Sequence, residues 1–164
     1  MELWIATTSH TTAYLFVTGF VQCGVTFKDN GTIDFEVGDG NNWSDSAVST
    51  HVVNDGLWHY VAATYDGANV RVFIDGQADG SAAYSGTIGT ITYPTVVGGR
   101  PFNQFFTGTL DEVRLSSVAR SGSEIANNWA DLSTVCPEPS ACAASAGAIS
   151  VLLAISRARR ARIG

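Results

Sequence analysis

Asp34 and Glu36, two residues apart, are the first groups in this chain that could do covalent chemistry. On a strand, residues i and i+2 share a face. A pair of carboxyl groups about 5 to 5.5 Å apart is what a retaining glycoside hydrolase uses as acid and nucleophile. Acids on a solvent-facing strand look the same in sequence, and that is the simpler reading of Asp34 and Glu36. Asp111 and Glu112 are adjacent, so a strand points them to opposite faces and they form no dyad. Asp111 could instead give oxygen to calcium, which gathers carboxylates and loop carbonyls, with Asn30, Asp39 and Asn41 as further ligands on loops. A turn, or an ion pair with Arg114, is the alternative. His10, His51 and His59 are scattered, with no nucleophile elbow or metal-ligand spacing around them. His59, inside a strand-like run, is expected to hydrogen-bond between strands.

Recognition chemistry is better represented. Aromatic rings stack on the apolar faces of sugars while amides and acids bond the hydroxyls. Residues 39–45 supply Asn41, Asn42, Trp43 and Asp45, and residues 100–106 supply Arg100, Phe102 and Asn103 together with Gln104, Phe105 and Phe106. Trp43 and Phe105 could equally cap the edge of the core. Trp4 and Trp58 lie in strand-like runs and are expected inside, and Trp129 is placed to dock a helix.

Charge narrows the partners. The 164 residues carry 9 basic against 15 acidic groups, for a formal charge of −6 and a pI near 4.8. Arg157, Arg159, Arg160 and Arg162 sit at the very end, leaving Lys28, Arg71, Arg100, Arg114 and Arg120 for everything before them. So few cations cannot neutralise a phosphate backbone, which argues against nucleic acid. Neutral sugars, cations or basic proteins are easier partners. Three cysteines, Cys23, Cys136 and Cys142, make no disulfide framework or metal motif; Cys23 reads as a small apolar residue, and Cys136 and Cys142 as thiols rather than a pair.

The elements that would position these groups are strands. Seventeen glycines, one methionine and 15% charged residues describe short strands and tight turns in a single core. Strands are expected at 3–7, 12–18, 21–28, 32–37, 47–50, 59–65, 70–74, 86–91, 95–98 and 109–116. Asp66-Gly67 and Asp75-Gly76 are hairpin turns. Along 70–75, Val70, Val72 and Ile74 form a buried face, and Arg71, Phe73 and Asp75 a partly wet one. Ser121 followed by Glu124 is a capping box ahead of Ile125, Trp129 and Leu132, predicting a short helix over 123–130.

The order WHYVAATYDG, VRVFIDG, GTLDEVRL, with Arg120, Glu124 and Ile125 following, resembles the laminin G-like domains of the concanavalin A-like superfamily. The resemblance implies an all-β antiparallel sandwich (a jelly roll) with a short closing helix. It also implies a motif acid at Asp111 and, in some members, calcium at the rim. Laminarinase-type members carry E-x-D-x-x-E on one strand, but the leading glutamate falls on Thr32 here. In the family, earlier sequence precedes the strand at 3–7, so an upstream portion carrying any export signal is expected before Met1, where no signal peptide is evident.

Beyond 133 the composition changes. Pro137, Glu138 and Pro139 lead into the uncharged run 141–155 and then into Arg157, Arg159 and Arg160. This order resembles the PEP-CTERM sorting tail of exported bacterial proteins, which implies an inner-membrane segment and an exosortase-type protease as partner. As a helix the run spans about 22 Å, less than the ~30 Å hydrocarbon core, and arginines after it would remain cytoplasmic. A core or amphipathic helix with a basic end is the alternative. The expected organisation is a domain over 1–133 and a linker, apolar helix and basic end over 134–164. The expected role is non-catalytic binding of carbohydrate at the cell envelope or outside the cell, with contact to a cell-surface protein as the alternative and glycoside hydrolysis as a third.

Overall fold

The computed structural model describes residues 1–19, 22–90, 94–100 and 103–134. In chain order its elements are β1 (Glu2–Ala6), β2 (Ala13–Thr18), β3 (Cys23–Phe27), β4 (Ile33–Gly38), β5 (Trp43–Val48), β6 (Trp58–Tyr65), β7 (Asn69–Ile74), β8 (Gln77–Ala83), β9 (Val96–Val97), β10 (Thr109–Arg114) and α1 (Gly122–Thr134). The strands form two five-stranded antiparallel sheets, one ordered β10-β1-β6-β7-β8 and the other β5-β4-β3-β2-β9. Met1–Trp129 make one compact unit. Among the described residues no helix is long and apolar enough to cross a membrane.

Strand alternation builds the core. Leu3, Ile5, Val61, Ala63, Val70, Val72 and Ile74 from the first sheet meet Leu15, Val25, Phe27, Ile33, Phe35 and Val37 from the second. Tight turns set the registers. Asp66 Oδ1 accepts the amides of Ala68 at 2.9 Å and Asn69 at 2.7 Å, closing β6 onto β7. Asp75 and Gly76, at φ 49° and 76°, form the two-residue turn into β8 with both positions in the left-handed region.

The face of the first sheet that points away from this core is covered in part. Phe73, Tyr60 and Trp4 are buried there, and Ile125 of α1 is fully buried. The expected partly wet face is therefore wet at Arg71 and Asp75, each about 35% exposed, and dry at Phe73, which the closing helix covers. Gly76 makes the close approach possible, since a Cβ there would lie 3.2 Å from Ala126 Cα and 3.1 Å from Trp129 Cε3.

Several boundaries shift from expectation. The strand expected at 47–50 starts earlier, at Trp43, because a bulge between Val37 and Gly38 lets β4 continue and pair with Trp43. Residues 86–90 form no strand, and Gln77–Ala83, where no strand is expected, are the strand β8. The helix runs four residues past its expected end, to Thr134. The apolar helix expected after 134, along with Cys136 and Cys142, lies outside the described residues.

Candidate functional site

The outward face of the second sheet gathers the polar chemistry. Alternation along β4 sends Ile33, Phe35 and Val37 into the core and Asp34 and Glu36 the other way. Register then places Gly24 and Thr26 of β3 opposite Glu36 and Asp34, and Ser46 and Val48 of β5 opposite them on the other side. Tyr14 of β2 pairs with Thr26, and its ring leans over Gly24, where a Cβ would lie 2.9 Å from Tyr14 Cε1. That glycine leaves the room in which the phenol reaches Glu36.

These residues form one network. Glu36 Oε2 accepts the Tyr14 hydroxyl at 3.5 Å and the Thr26 hydroxyl at 3.3 Å. Lys28 Nζ lies 3.0 Å from Asp34 Oδ2. Asp34 is only 4% exposed, and its Oδ1 is buried without a donor. Asp34 is therefore not the solvent-facing acid of the simpler sequence reading, because neighbouring side chains enclose it, whereas Glu36 stays half-exposed on the face. Burial and the Asp34 charge push the Glu36 carboxyl above its ordinary 4.5, against the pull of Lys28 and the two hydroxyls.

Trp43 completes the face on one side. It is half-buried at the start of β5 and lines an open cleft of about 320 Å³ with Glu36, Ser44 and Ser46. It is a strand residue, not part of the loop in which the sequence reading places it. The loop before it is held by Asp39, whose Oδ1 accepts the amides of Asn41 and Asn42, both at 2.8 Å. Those amides, Asn42 first, hold the Asp39 carboxyl below its ordinary range. Asn41 and Asn42 are exposed on this rim, and the Asp45 side chain lies outside the description.

The second expected loop enters from the opposite end of the sheet. Arg100 and Asn103 exchange backbone hydrogen bonds of 3.1 and 3.2 Å, and Gln104 O accepts the Tyr14 amide at 3.2 Å. This hairpin stands where β2 begins, whereas residues 39–42 stand where β4 ends. The two loops do not flank a common rim. What links them is the face between: the Arg100 guanidinium lies 5.5 Å from the centroid of the Tyr14 ring, and Tyr14 meets Glu36. Asn103 and Phe105 are exposed, and Phe102 lies outside the described residues. Phe106 packs edge-on against Phe27 at 5.9 Å.

The calcium candidates are dispersed. Asp111 is on β10 of the other sheet, and its Oδ1 accepts the Glu112 amide at 2.8 Å where Glu112 turns to φ 48°. Asn30 precedes β4, and Asp39 and Asn41 follow it. A strand of that length separates its ends by about 17 Å, so Asn30 and Asp39 cannot ligate one ion. Asn30 Oδ1 instead accepts the Thr32 hydroxyl at 2.7 Å. Among the described residues no group of three His, Cys, Asp or Glu could hold a metal. The histidines have separate partners: His10 meets Asp29 O at 3.2 Å, His51 meets Asp79 at 2.8 Å, and His59 meets Asp75 at 2.8 Å and Asp55 at 3.1 Å. Cys23 is half-buried, and burial pushes its thiol up to about 11. Pro137, Glu138, Pro139, Arg157, Arg159 and Arg160 lie outside the described residues.

Tyr14, Thr26 and Lys28 were not singled out by sequence reasoning. Period-2 alternation in β3 would have put Thr26 and Lys28 on one face, but their meeting with Glu36 depends on pairing between separate hairpin arms.

Solved structures share this fold. A candidate carbohydrate-binding protein from Bacteroides ovatus is 18% identical with TM-score 0.63, over 76% of this chain and 38% of that one. The mouse laminin α1 chain is 23% identical with TM-score 0.56, over 67% and 32%. Domain 4 of an extracellular arabinanase from Geobacillus stearothermophilus, in complex with arabinotriose, is 21% identical with TM-score 0.60, over 77% and 63%. The chain thus spans little more than a third of the first of these structures, and about a third of the second. No curated protein matches it. The matching family covers residues 1–126, from the opening strand through the capped start of the helix, and the chain belongs to that laminin G-type family of the concanavalin A-like lectin/glucanases superfamily.

Proposed function

We propose that this chain is a non-catalytic module that binds an oligosaccharide across the outward face of its second sheet. The observation that carries the reading is the cleft shared by Trp43, Glu36, Ser44 and Ser46, in which an aromatic residue stands beside a carboxylate and hydroxyls. Trp43 on β5 and Tyr14 on β2 are three strand intervals apart, about 14 Å across the strands, and four residues apart along them, a span that suits a short chain of sugar rings rather than a single ring. Likeness to a domain solved with arabinotriose supports the ligand class. Against hydrolysis, Asp34 is enclosed and paired with Lys28, and position 32 holds a threonine where a third acid would stand.

The test is a glycan array with the full chain. Binding to one or more oligosaccharides, reduced at least about ten-fold by Trp43→Ala, is the expected result. A folded protein with no glycan signal would sink the reading.

A second reading, contact with a cell-surface protein, draws on Leu115 and Val118, which are 62% and 72% exposed after β10, an edge strand with one side open. For location, the order Pro137-Glu138-Pro139, apolar run, Arg157, Arg159 and Arg160 supports export with a sorting tail over 134–164 that engages the inner membrane and an exosortase-type protease. Expression in a host with and without such a protease, followed by intact mass, tests this: loss of the tail only in the first host is expected, and an unchanged mass in both opposes it.

A further inference from the structure

We propose that the Trp43 cleft selects amino-sugar glycans, with the Glu36 carboxylate meeting the ligand's ammonium group; this rests on the saccharide reading above. The cleft presents a carboxylate that the protein leaves short of donors. Glu36 can accept about four hydrogen bonds, yet receives two long ones, at 3.5 and 3.3 Å, both on Oε2. No cation lies within ion-pairing distance of it among the described residues. Lys28, the nearest basic residue on the face, is held by Asp34.

Independently, the enclosed Asp34 keeps Oδ1 without a donor on the same face, so the negative potential at the cleft exceeds what Lys28 offsets. Other cations of the body are committed elsewhere: Arg71 to Asp66, Arg120 to Glu2, and Arg100 over Tyr14. An anionic glycan would meet uncompensated carboxylates there, a neutral one would give Glu36 hydroxyl donors but leave its charge without a counter-ion, and a protonated amine would supply both. Ring stacking on Trp43 separates this from recognition of a bare cation. Burial and the Asp34 charge already raise the Glu36 carboxyl, as expected for a charge awaiting a partner.

The experiment is calorimetric titration of the full chain with glucosamine oligomers and with their N-acetylated counterparts, in which a neutral acetamide replaces the charged amine, at a pH where the amine is protonated. The amine form should bind at least about ten-fold tighter, about 1.4 kcal/mol. Added salt should erode the difference. Glu36→Gln should bring the two affinities together, Glu36→Asp should keep the preference, and melting curves should report that both variants fold. Equal affinities in the unaltered chain, or tighter binding of glucuronate oligomers, would overturn the selectivity and leave the saccharide reading standing. Displacement by oligolysine as strong as by the glycan would overturn it in favour of simple cation binding. Failure of every saccharide to bind would remove the reading on which it rests.

Discussion

Arg120 Nη1 lies 3.1 Å from both carboxylate oxygens of Glu2, residues separated by 118 positions in the chain. Tyr60 donates its hydroxyl to the same carboxylate, and Asn128 Nδ2 donates at 2.8 Å. The first strand, a central strand and the closing helix therefore converge on one acid that is only 3% exposed. A short amphipathic helix is marginal by itself. Here a capping box, in which Ser121 N and Oγ donate to Glu124 Oε2 at 2.8 and 2.7 Å, starts it, and the Glu2 network fixes where it lies.

Removing one partner of a buried pair leaves a charge without compensation. Arg120→Ala should therefore destabilise the domain by about 3–5 kcal/mol in denaturant titrations. Glu2→Gln combined with Arg120→Met should cost less than Arg120→Ala alone. Burial pushes the Glu2 carboxyl up, but Tyr60, Asn128 and Arg120 outweigh it and hold it below its ordinary 4.5. A lowered carboxyl stabilises the fold above 4.5 and loses that contribution as pH falls through the folded value. Glu2→Gln should flatten this acid limb; an unchanged limb would remove Glu2 from the account.

His59 gives the opposite slope. Its two ring nitrogens face Asp75 at 2.8 Å and Asp55 at 3.1 Å, and only the protonated ring donates from both. The Asp75 hydrogen bond, against the opposing effect of burial, holds the imidazole above its ordinary 6.5. The stabilisation is complete below 6.5 and disappears as pH rises through the folded value. Melting temperature should fall over that range, and His59→Gln should abolish the step. A profile that is level in the unaltered chain would contradict it.

What the sequence disclosed follows how local each feature is. The hairpin over 58–76 was readable because Asp66-Gly67 and Asp75-Gly76 close it with nearest-neighbour turn chemistry. Strand β8 was not, because Gln-Ala-Asp-Gly-Ser-Ala-Ala has little β-propensity. Its small residues have a tertiary cause: a Cβ on Gly80 would lie 2.8 Å from the Val48 carbonyl carbon, where the edges of the two sheets approach. The start of β5 was missed through a bulge whose partner strand sits across a loop. The candidate face fared likewise: Trp43, Glu36 and Arg100 were each visible as types, but their relation passes through Tyr14 and Thr26 on strands whose register no local motif announces.

Gly80→Ala tests that tertiary cause. The obstruction is backbone, so relief requires one strand to move, and the loss should be about 1–3 kcal/mol in denaturant titrations. Ala82→Gly, two positions from the obstructed site on the same strand, should cost about 1 kcal/mol or less. Equal losses would show that β8 does not pack against β5 in this way.

Tyr14 offers the most direct probe of the proposed face, because one atom separates its two roles. The ring is buried and lies beneath Arg100, whereas the hydroxyl is what reaches Glu36, at 3.5 Å. Tyr14→Phe keeps the first and removes the second, so folding stability should change by about 1 kcal/mol or less. Glu36 then loses one of the hydroxyls that pull its carboxyl down, while burial and Asp34 continue to push it up. Its titration, followed by carboxyl carbon NMR, should move to higher pH. Glycan affinity measured near that titration should weaken in step with the protonated fraction and recover at higher pH, where the carboxylate is restored. Loss of affinity that stays constant across pH would mean that the phenol touches the ligand itself. Unaltered titration and affinity would disconnect Tyr14 from Glu36, and with it the Arg100 end of the sheet from the Trp43 cleft.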